Sequence, residues 1–397
     1  MGAALNRLST WGLNLATKFK TDCLSIRYAT KRVLTTSLIS MRIVYFIESA
    51  EAGGAEQIVV TLADAFRTRG HDVSIITMQD GWLTEELDRL SLPRSRIDSR
   101  RSLDVTLPFR LAARFKDLKA DVVHSHLLDS NFYGALACRL AGVRHVGTDH
   151  GDIHLPARKK LLKLKLRAVS LLGSSMTAVS KFTADKLIDL GVSRQLVSCI
   201  YNPIVPIERS AKTRTAIRQE LGLSDDAWVW IHAAMMTRVK DQKTMLHAMQ
   251  SCTENQYLLL AGDGPLREAL KKEAAKCGVE DRVLFLGFRD DVPDLLSAAD
   301  GFILSSLSES MPMSLLEAMS AGLLCVSTSV GGVTEVLDSE RGYLFPPKDN
   351  SALARIMNSV CENRASCAEK AKSGQNFVRD AFGIERILNR YEQQYAL

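Results

Sequence analysis

No run in the 397 residues approaches about 18 consecutive apolar positions, the length a membrane-crossing helix needs, so no transmembrane helix is expected. The eight cysteines, at positions 23, 138, 199, 252, 277, 325, 361 and 367, include no CxxC pair, which argues against the common zinc and dithiol motifs. They read as reduced thiols of a cytosolic protein, and Cys325, inside "LLCVSTS", as a small buried hydrophobe. A secretory signal is also not expected. Residues 1–40 set Arg7, Lys18, Lys20, Arg27, Lys31 and Arg32 against Asp22 alone, carrying +5 of the net +6 charge, with neither a clean apolar core nor a small-residue cleavage site. The segment 1–40 reads as a basic N-terminal extension suited to a membrane surface, or as a start set upstream of Met41, which precedes the strand-like "RIVYFIE".

What remains is ordinary globular chemistry: 46% hydrophobic residues, 24% charged, mean hydropathy −0.01. The length suggests two domains. "RIVYFIE", the turn "SAEAGG", the helical "AEQIVVTLADAFRTRG" and the strand "HDVSIIT" make one βαβ unit. β-rich runs recur at 121–126, 145–150, 176–180 and 197–201, separated by helix-compatible sequence. After the aperiodic "NPIVPIERSAKTR" (202–214), a linker, the alternation restarts at "WVWIHA" and runs through 257–261, 283–287, 301–305, 323–328 and 343–345. Such alternation predicts two α/β domains with covered parallel sheets, facing each other across a cleft lined by the carboxyl ends of strands.

Several short stretches fall at those strand ends. In "SESMPMSLLEAMSAG" (308–322), Glu309 and Glu317 stand eight positions apart. On one continuous helix they would be about 12 Å apart along its axis. If Pro312 opens the helix as its first residue, Glu309 lies in the loop before it and Glu317 in its second turn, and both can reach one polyhydroxylated ligand. Gly53 and Gly54, between the first strand and its helix, suit an anion or simply a tight turn, and are not a GxGxxG fingerprint. His150, in "GTDHGDIH", stands between Asp149 and Asp152, which would favour its charged form; it suits a sugar hydroxyl or phosphate, or plain solvation. His124 and His126 occupy a neighbouring strand end but match no standard zinc spacing, and no metal site is expected. Arg238 and Lys240 precede a helix, a poor place for cations unless an anion such as a diphosphate sits between them; Lys243 reads as solvated. "LPARKKLLKLKLRAVSLL" (155–172) has six bases and no acid, with Lys159, Lys163 and Arg167 on one face, and suits an anionic bilayer or an amphipathic core helix.

"GGAE", "DHG", "RVKDQ", "AGDGPLREAL", "SESMPMSLLEAMSAG" and "TSVGGVTEV", in this order, resemble the retaining glycosyltransferases of the GT-B superfamily, family 4 type, over about residues 41–395. The resemblance implies a GT-B fold of two Rossmann-like α/β/α domains: an acceptor-binding domain over 41–204, a nucleotide-sugar-binding domain over 205–377, and a C-terminal helix over 378–397 returning to the first. It implies that Glu317 binds the ribose, Glu309 the donor sugar and Lys240 the diphosphate, with main-chain N–H groups near Met313, Ser314 and Leu315 assisting. Phe288 and Arg289 would touch the base, Gly53 and Gly54 would close over the phosphates, and His150 would reach the transferred sugar. The chain departs from the pattern at Met235, where the family has an arginine that Arg238 would replace, and at Ser310-Met311-Pro312, where Gly-Phe-Gly or Gly-Phe-Pro is usual.

The implied reaction transfers a hexose-type sugar from a nucleotide diphosphate sugar, UDP-linked or otherwise, with retention at the anomeric carbon. The acceptor would be a saccharide or lipid-linked saccharide, as in surface polysaccharide, lipopolysaccharide or capsule assembly. The chain contains no DxD triplet, so metal-independent catalysis, with Lys240 and Arg238 supplying positive charge, is expected, and no cofactor beyond the donor. Nucleic acid is not an expected partner. The expected location is cytoplasmic, peripheral on the inner face of the plasma membrane through 158–172. A nucleotide-sugar epimerase on the same fold, which would act without acceptor, and a non-catalytic sugar- or nucleotide-binding relative are the alternatives.

Overall fold

The first strand, "RIVYFI", is apolar on both faces, as a strand must be when helices cover its sheet from either side. In the computed structural model, residues 40–99, 104–151 and 159–396 are described, the side chains of Lys159 and of residues 364–366 excepted. Apart from Ser40, the N-terminal extension lies outside the described residues. Seven strands form the first sheet: β1 Arg42–Ile47, β2 Asp72–Thr77, β3 Arg94–Arg96, β4 Val122–His126, β5 Arg144–Asp149, β6 Ser175–Ala178 and β7 Val197–Cys199, in the order β3-β2-β1-β4-β5-β6-β7. Six form the second: β8 Trp228–Ala233, β9 Gln256–Ala261, β10 Val283–Gly287, β11 Gly301–Leu304, β12 Leu324–Thr328 and β13 Tyr343–Phe345, in the order β10-β9-β8-β11-β12-β13. The strands pair in parallel throughout. Strand order reverses between β1 and β4 and again between β8 and β11, and at such points the loops leave a crevice beyond the carboxyl ends.

β3 escapes sequence reading because Arg-Ser-Arg has no apolar side chain. It forms the edge beside β2, and Arg94 and Arg96 pair with Asp88, Asp80 and Asp98, a charged rim that discourages further strand pairing. The expected linker also ends earlier than 214. A helix Ala211–Glu220 begins inside it, capped by Ser210 Oγ, which accepts from Thr213 N at 3.3 Å.

The chain returns to the first half at Gly383 rather than at 378. Helix Arg364–Phe382 still buries Val378 and Phe382 in the core of the second half, and the crossing is fixed where Ile204 N donates to Phe382 O at 2.8 Å. Helix Ile384–Ala396 then places Ile384, Ile387, Leu388, Tyr391 and Tyr395 on one stripe against Ile43, Tyr45 and Phe66. Arg69, at the end of helix Gly54–Thr68, pairs with Glu385 and Glu392 on its polar side. Tyr391 is fully buried there. Replacing it by alanine is expected to destabilise the protein by about 3–5 kcal/mol, read as a lower urea midpoint with an unchanged slope.

Candidate active site

β8 and β11 lie side by side, and the loops that follow them carry Lys240 and Glu309. Lys240 Nζ donates to Glu309 Oε1 at 2.6 Å, and Ser306 Oγ donates to the same oxygen at 2.6 Å. Glu309 is 8% exposed; a carboxylate so placed needs a cation and hydrogen bonds, and both are present. Ser305 Oγ reaches the carbonyls of Lys240 and Asp241 at 2.9 and 2.8 Å, and Leu307 N donates to Val239 O at 2.7 Å, so the two loops are stitched together. Arg238 and Met235 are exposed on the first of them. Lys243 belongs to the next helix, Gln242–Met249, where it pairs with Glu273.

Helix Met313–Ser320 opens one residue later than expected, with Pro312 as its extended cap (φ −73°, ψ 113°) rather than its first helical residue. Glu309 accordingly lies in the loop and Glu317 in the second turn. The first-turn N–H groups of Met313, Ser314 and Leu315 have no partner within the helix. Leu315 contributes through its main chain alone, since its side chain is fully buried in the core. Beyond β10, Phe288 is 63% exposed, whereas Arg289 is held by Asp291 and Glu220, which push its pKa up. Of the two residues expected at the base, only Phe288 has its side chain unengaged.

Three seams join this surface to the first half. Helix Gly54–Thr68 begins beside helix Met313–Ser320: a Cβ on Gly54 would lie 3.7 Å from Met313 Cγ, and Gln57 Nε2 donates to Glu317 Oε1 at 3.4 Å. Burial raises the Glu317 pKa, and the Gln57 bond opposes that rise. Gly53 has φ −146°, open to any residue, so a tight turn is not its reason; a Cβ there would come within 2.5 Å of the Glu56 carboxylate, folded back over the helix start.

The second seam lies at His150 and Gly151. Gly151 has φ +95°, and a Cβ on it would fall 1.6 Å from Ser310 Oγ, so glycine is required for both conformation and room. His150 is not held charged by its acidic neighbours. Asp149 Oδ1 accepts from Gly151 N at 2.7 Å, Asp152 lies outside the described residues, and burial pushes the His150 pKa down to about 4. Its Nε2 instead meets His126 Nδ1 at 2.9 Å. His124 spends its nitrogens on the hydroxyls of Tyr395 and Thr148, at 2.7 and 2.6 Å.

At the third seam, Glu335 accepts from Lys181 N, Phe182 N and Tyr201 Oη at 3.0, 2.9 and 3.1 Å. It thereby caps helix Lys181–Asp189 of the opposite half. Gly331, with φ +48°, lies against Phe182 of that half, 3.0 Å from where its Cβ would stand, and against the Glu309 carbonyl of its own half, at 1.9 Å. The motif "TSVGGVTEV" gives no sign of this role for Glu335, because its partners lie more than a hundred residues away. Among the described residues, one trio could offer ligands to a metal, His247, Glu273 and Cys277, and it includes none of the cleft residues above.

Burial pushes the pKa values of His124, His126, His145, His150 and His232 below the ordinary 6.5. In the unfolded chain these groups bind protons more readily, so their contribution to stability is complete above pH 6.5 and is lost as pH falls through that value toward 4. The urea midpoint is expected to be level above pH 7 and to drop steadily from pH 6.5 to 4.5; a level midpoint across that range would contradict buried neutral imidazoles.

Residues 213–377 match the family model described as Glycosyl transferases group 1, and residues 52–206 match that described as Glycosyltransferase Family 4. The chain is 29% identical over 358 residues to UDP-Gal:alpha-D-GlcNAc-diphosphoundecaprenol alpha-1,3-galactosyltransferase of Escherichia coli, spanning 81% of this chain and 88% of that protein. It is 26% identical over 356 residues to N-acetyl-alpha-D-glucosaminyl L-malate synthase of Bacillus anthracis, spanning 86% and 93%. Among solved structures, Anabaena HepE in complex with UDP matches with a TM-score of 0.81 at 24% identity, over 90% of this chain and 100% of that one.

Proposed function

Because this chain belongs to the family 4 glycosyltransferases of the GT-B fold, we propose that it moves a hexose-type sugar from a UDP-sugar to a saccharide or lipid-linked saccharide, with retention at the anomeric carbon. The assembly of a surface polysaccharide or lipopolysaccharide is the setting that suits it. The observation that carries this reading is the meeting of two helix N-termini, at Gly54 and Met313, beside Lys240 and Glu309. Unbonded N–H groups, two helix dipoles and an ammonium converge there, which is what a diphosphate needs.

In this reading, Glu317 takes the ribose hydroxyls and Glu309 the donor sugar, while His150 reaches the transferred sugar from the opposite half. As the glycosidic bond to the diphosphate breaks, negative charge grows on the departing phosphate, and Lys240 with the Met313–Leu315 amides stabilises it. The acceptor hydroxyl attacks the same face of the oxocarbenium-like sugar and loses its proton to the leaving phosphate. The protein's part is position, charge and exclusion of water by the closed seams. Positive charge on the diphosphate is assigned to Lys240 rather than to a metal, in keeping with the missing DxD triplet.

Lys240→Ala is expected to lower sugar transfer by about a hundred- to a thousand-fold, with an unchanged far-ultraviolet circular dichroism spectrum. Near-normal transfer by the variant would remove Lys240 from the mechanism. A panel of nucleotide sugars, tested for protection against thermal unfolding, identifies the donor, and incubation with that donor alone separates transfer from epimerisation.

The acceptor side is assigned to an anionic membrane. No helix among the described residues is long and apolar enough to cross a bilayer. Helix Lys159–Leu171 buries Leu162, Leu166 and Val169 but exposes Lys160, Lys163 and Arg167 together with Leu161, Leu164 and Leu171. Lys165 is not part of the basic face, being buried against Asp129. Cations beside exposed leucines suit a surface of anionic lipid. Co-sedimentation with phosphatidylglycerol vesicles is expected to weaken at high salt and to fall about tenfold or more in the Leu161→Ser, Leu164→Ser double variant. Equal sedimentation of variant and parent would refute this docking face.

A further inference from the structure

His126 ends β4 fully buried, between two other imidazoles. Its ring centroid lies 4.2 Å from that of His124 and 5.2 Å from that of His150, the latter pair stacked at 25°. His126 Nδ1 meets His150 Nε2 at 2.9 Å, whereas its own Nε2, shielded from solvent, has no hydrogen-bond partner. A buried polar nitrogen without a partner costs free energy, and an apolar ring would fill the same space without that cost. What the imidazole adds at this position is its bond to His150.

We propose that His126 is a positioning residue for sugar transfer: its Nδ1–H donates to His150 Nε2 and leaves His150 Nδ1, carrying its proton, to donate to the transferred sugar. This rests on the role given to His150 above. The proton assignment follows from the unpartnered nitrogen. If His150 donated from Nε2, His126 would carry its own proton on Nε2, where no acceptor stands. If His126 donates from Nδ1, its Nε2 is a bare lone pair and His150 is protonated on Nδ1. Buried N–H groups without an acceptor are the rarer arrangement in native proteins, which favours the second state. Burial keeps both rings neutral, so a single proton joins them.

The test combines the nitrogen-15 spectrum of the histidine side chains with kinetics of His126→Phe, His126→Asn and His150→Ala. In the unaltered protein, His150 is expected as the Nδ1–H tautomer; finding its proton on Nε2 overturns the proposal without any substitution. His126→Phe keeps a ring but no donor. It is expected to lower kcat by about ten- to a hundredfold, to change the donor KM less than about twofold, and to release His150 from its single tautomer. His126→Asn, whose amide nitrogen stands near the lost Nδ1, is expected to restore kcat to within about threefold of the parent. Normal turnover by His126→Phe alongside a crippled His150→Ala overturns the positioning role and leaves the transferase reading intact. Normal turnover by His150→Ala overturns the role of His150 and the positioning proposal together.

Discussion

The close approach of Gly151 to Ser310 and of Gly331 to Phe182 decides how near the two halves of this molecule can come. At both places a side chain on the glycine would crowd the opposite half, and at both φ lies in the region that L residues avoid. Everything proposed for the cleft depends on this proximity. Lys240 and Glu309 come from the second half, His150 and the start of helix Gly54–Thr68 from the first, and they share one site because no Cβ stands between their loops. Glu335 reinforces the same seam with a carboxylate that answers two helix-start N–H groups in the other half.

Within the seam, both cleft glutamates have partners in the folded protein. Glu309 is satisfied by Lys240 and Ser306, and Glu317 by Gln57. These contacts resemble those a sugar or ribose hydroxyl makes, which lets a donor exchange one set of hydrogen bonds for another when it enters. The exchange avoids leaving a buried carboxylate without a partner, the costly outcome.

The last helix links the ends of the chain to this chemistry. Tyr395 meets Tyr45 at 3.4 Å and His124 at 2.7 Å, and His124 lies against His126, which holds His150. A segment 271 residues beyond His124 thereby sets the back wall of the imidazole row. Its apolar stripe supplies the adhesion, and its tyrosine hydroxyls supply the polar partners that a buried histidine requires.

The sequence by itself determined the alternation of strand and helix, because covered parallel strands must be apolar on both faces and their crossovers must be amphipathic. It also determined that Glu309 and Glu317 flank a helix start, since proline cannot continue a helix backwards through its missing N–H. Motif resemblance added roles for Lys240 and His150. Local pattern held no trace of β3, whose Arg-Ser-Arg owes its strand form to pairing with β2, nor of the helix start at 211 inside the linker. The acidic neighbours of His150 mislead about its charge state, because closeness in sequence does not reveal that Asp149 turns to a backbone amide while burial strips the ring of water. His126, Gln57 and Glu335 acquire their meaning from partners on other strands and helices, 24 to 260 residues away. Those distances collapse only when strands pair and the two halves pack, and tertiary structure decides them because hydrogen bonding and desolvation act through space rather than along the chain.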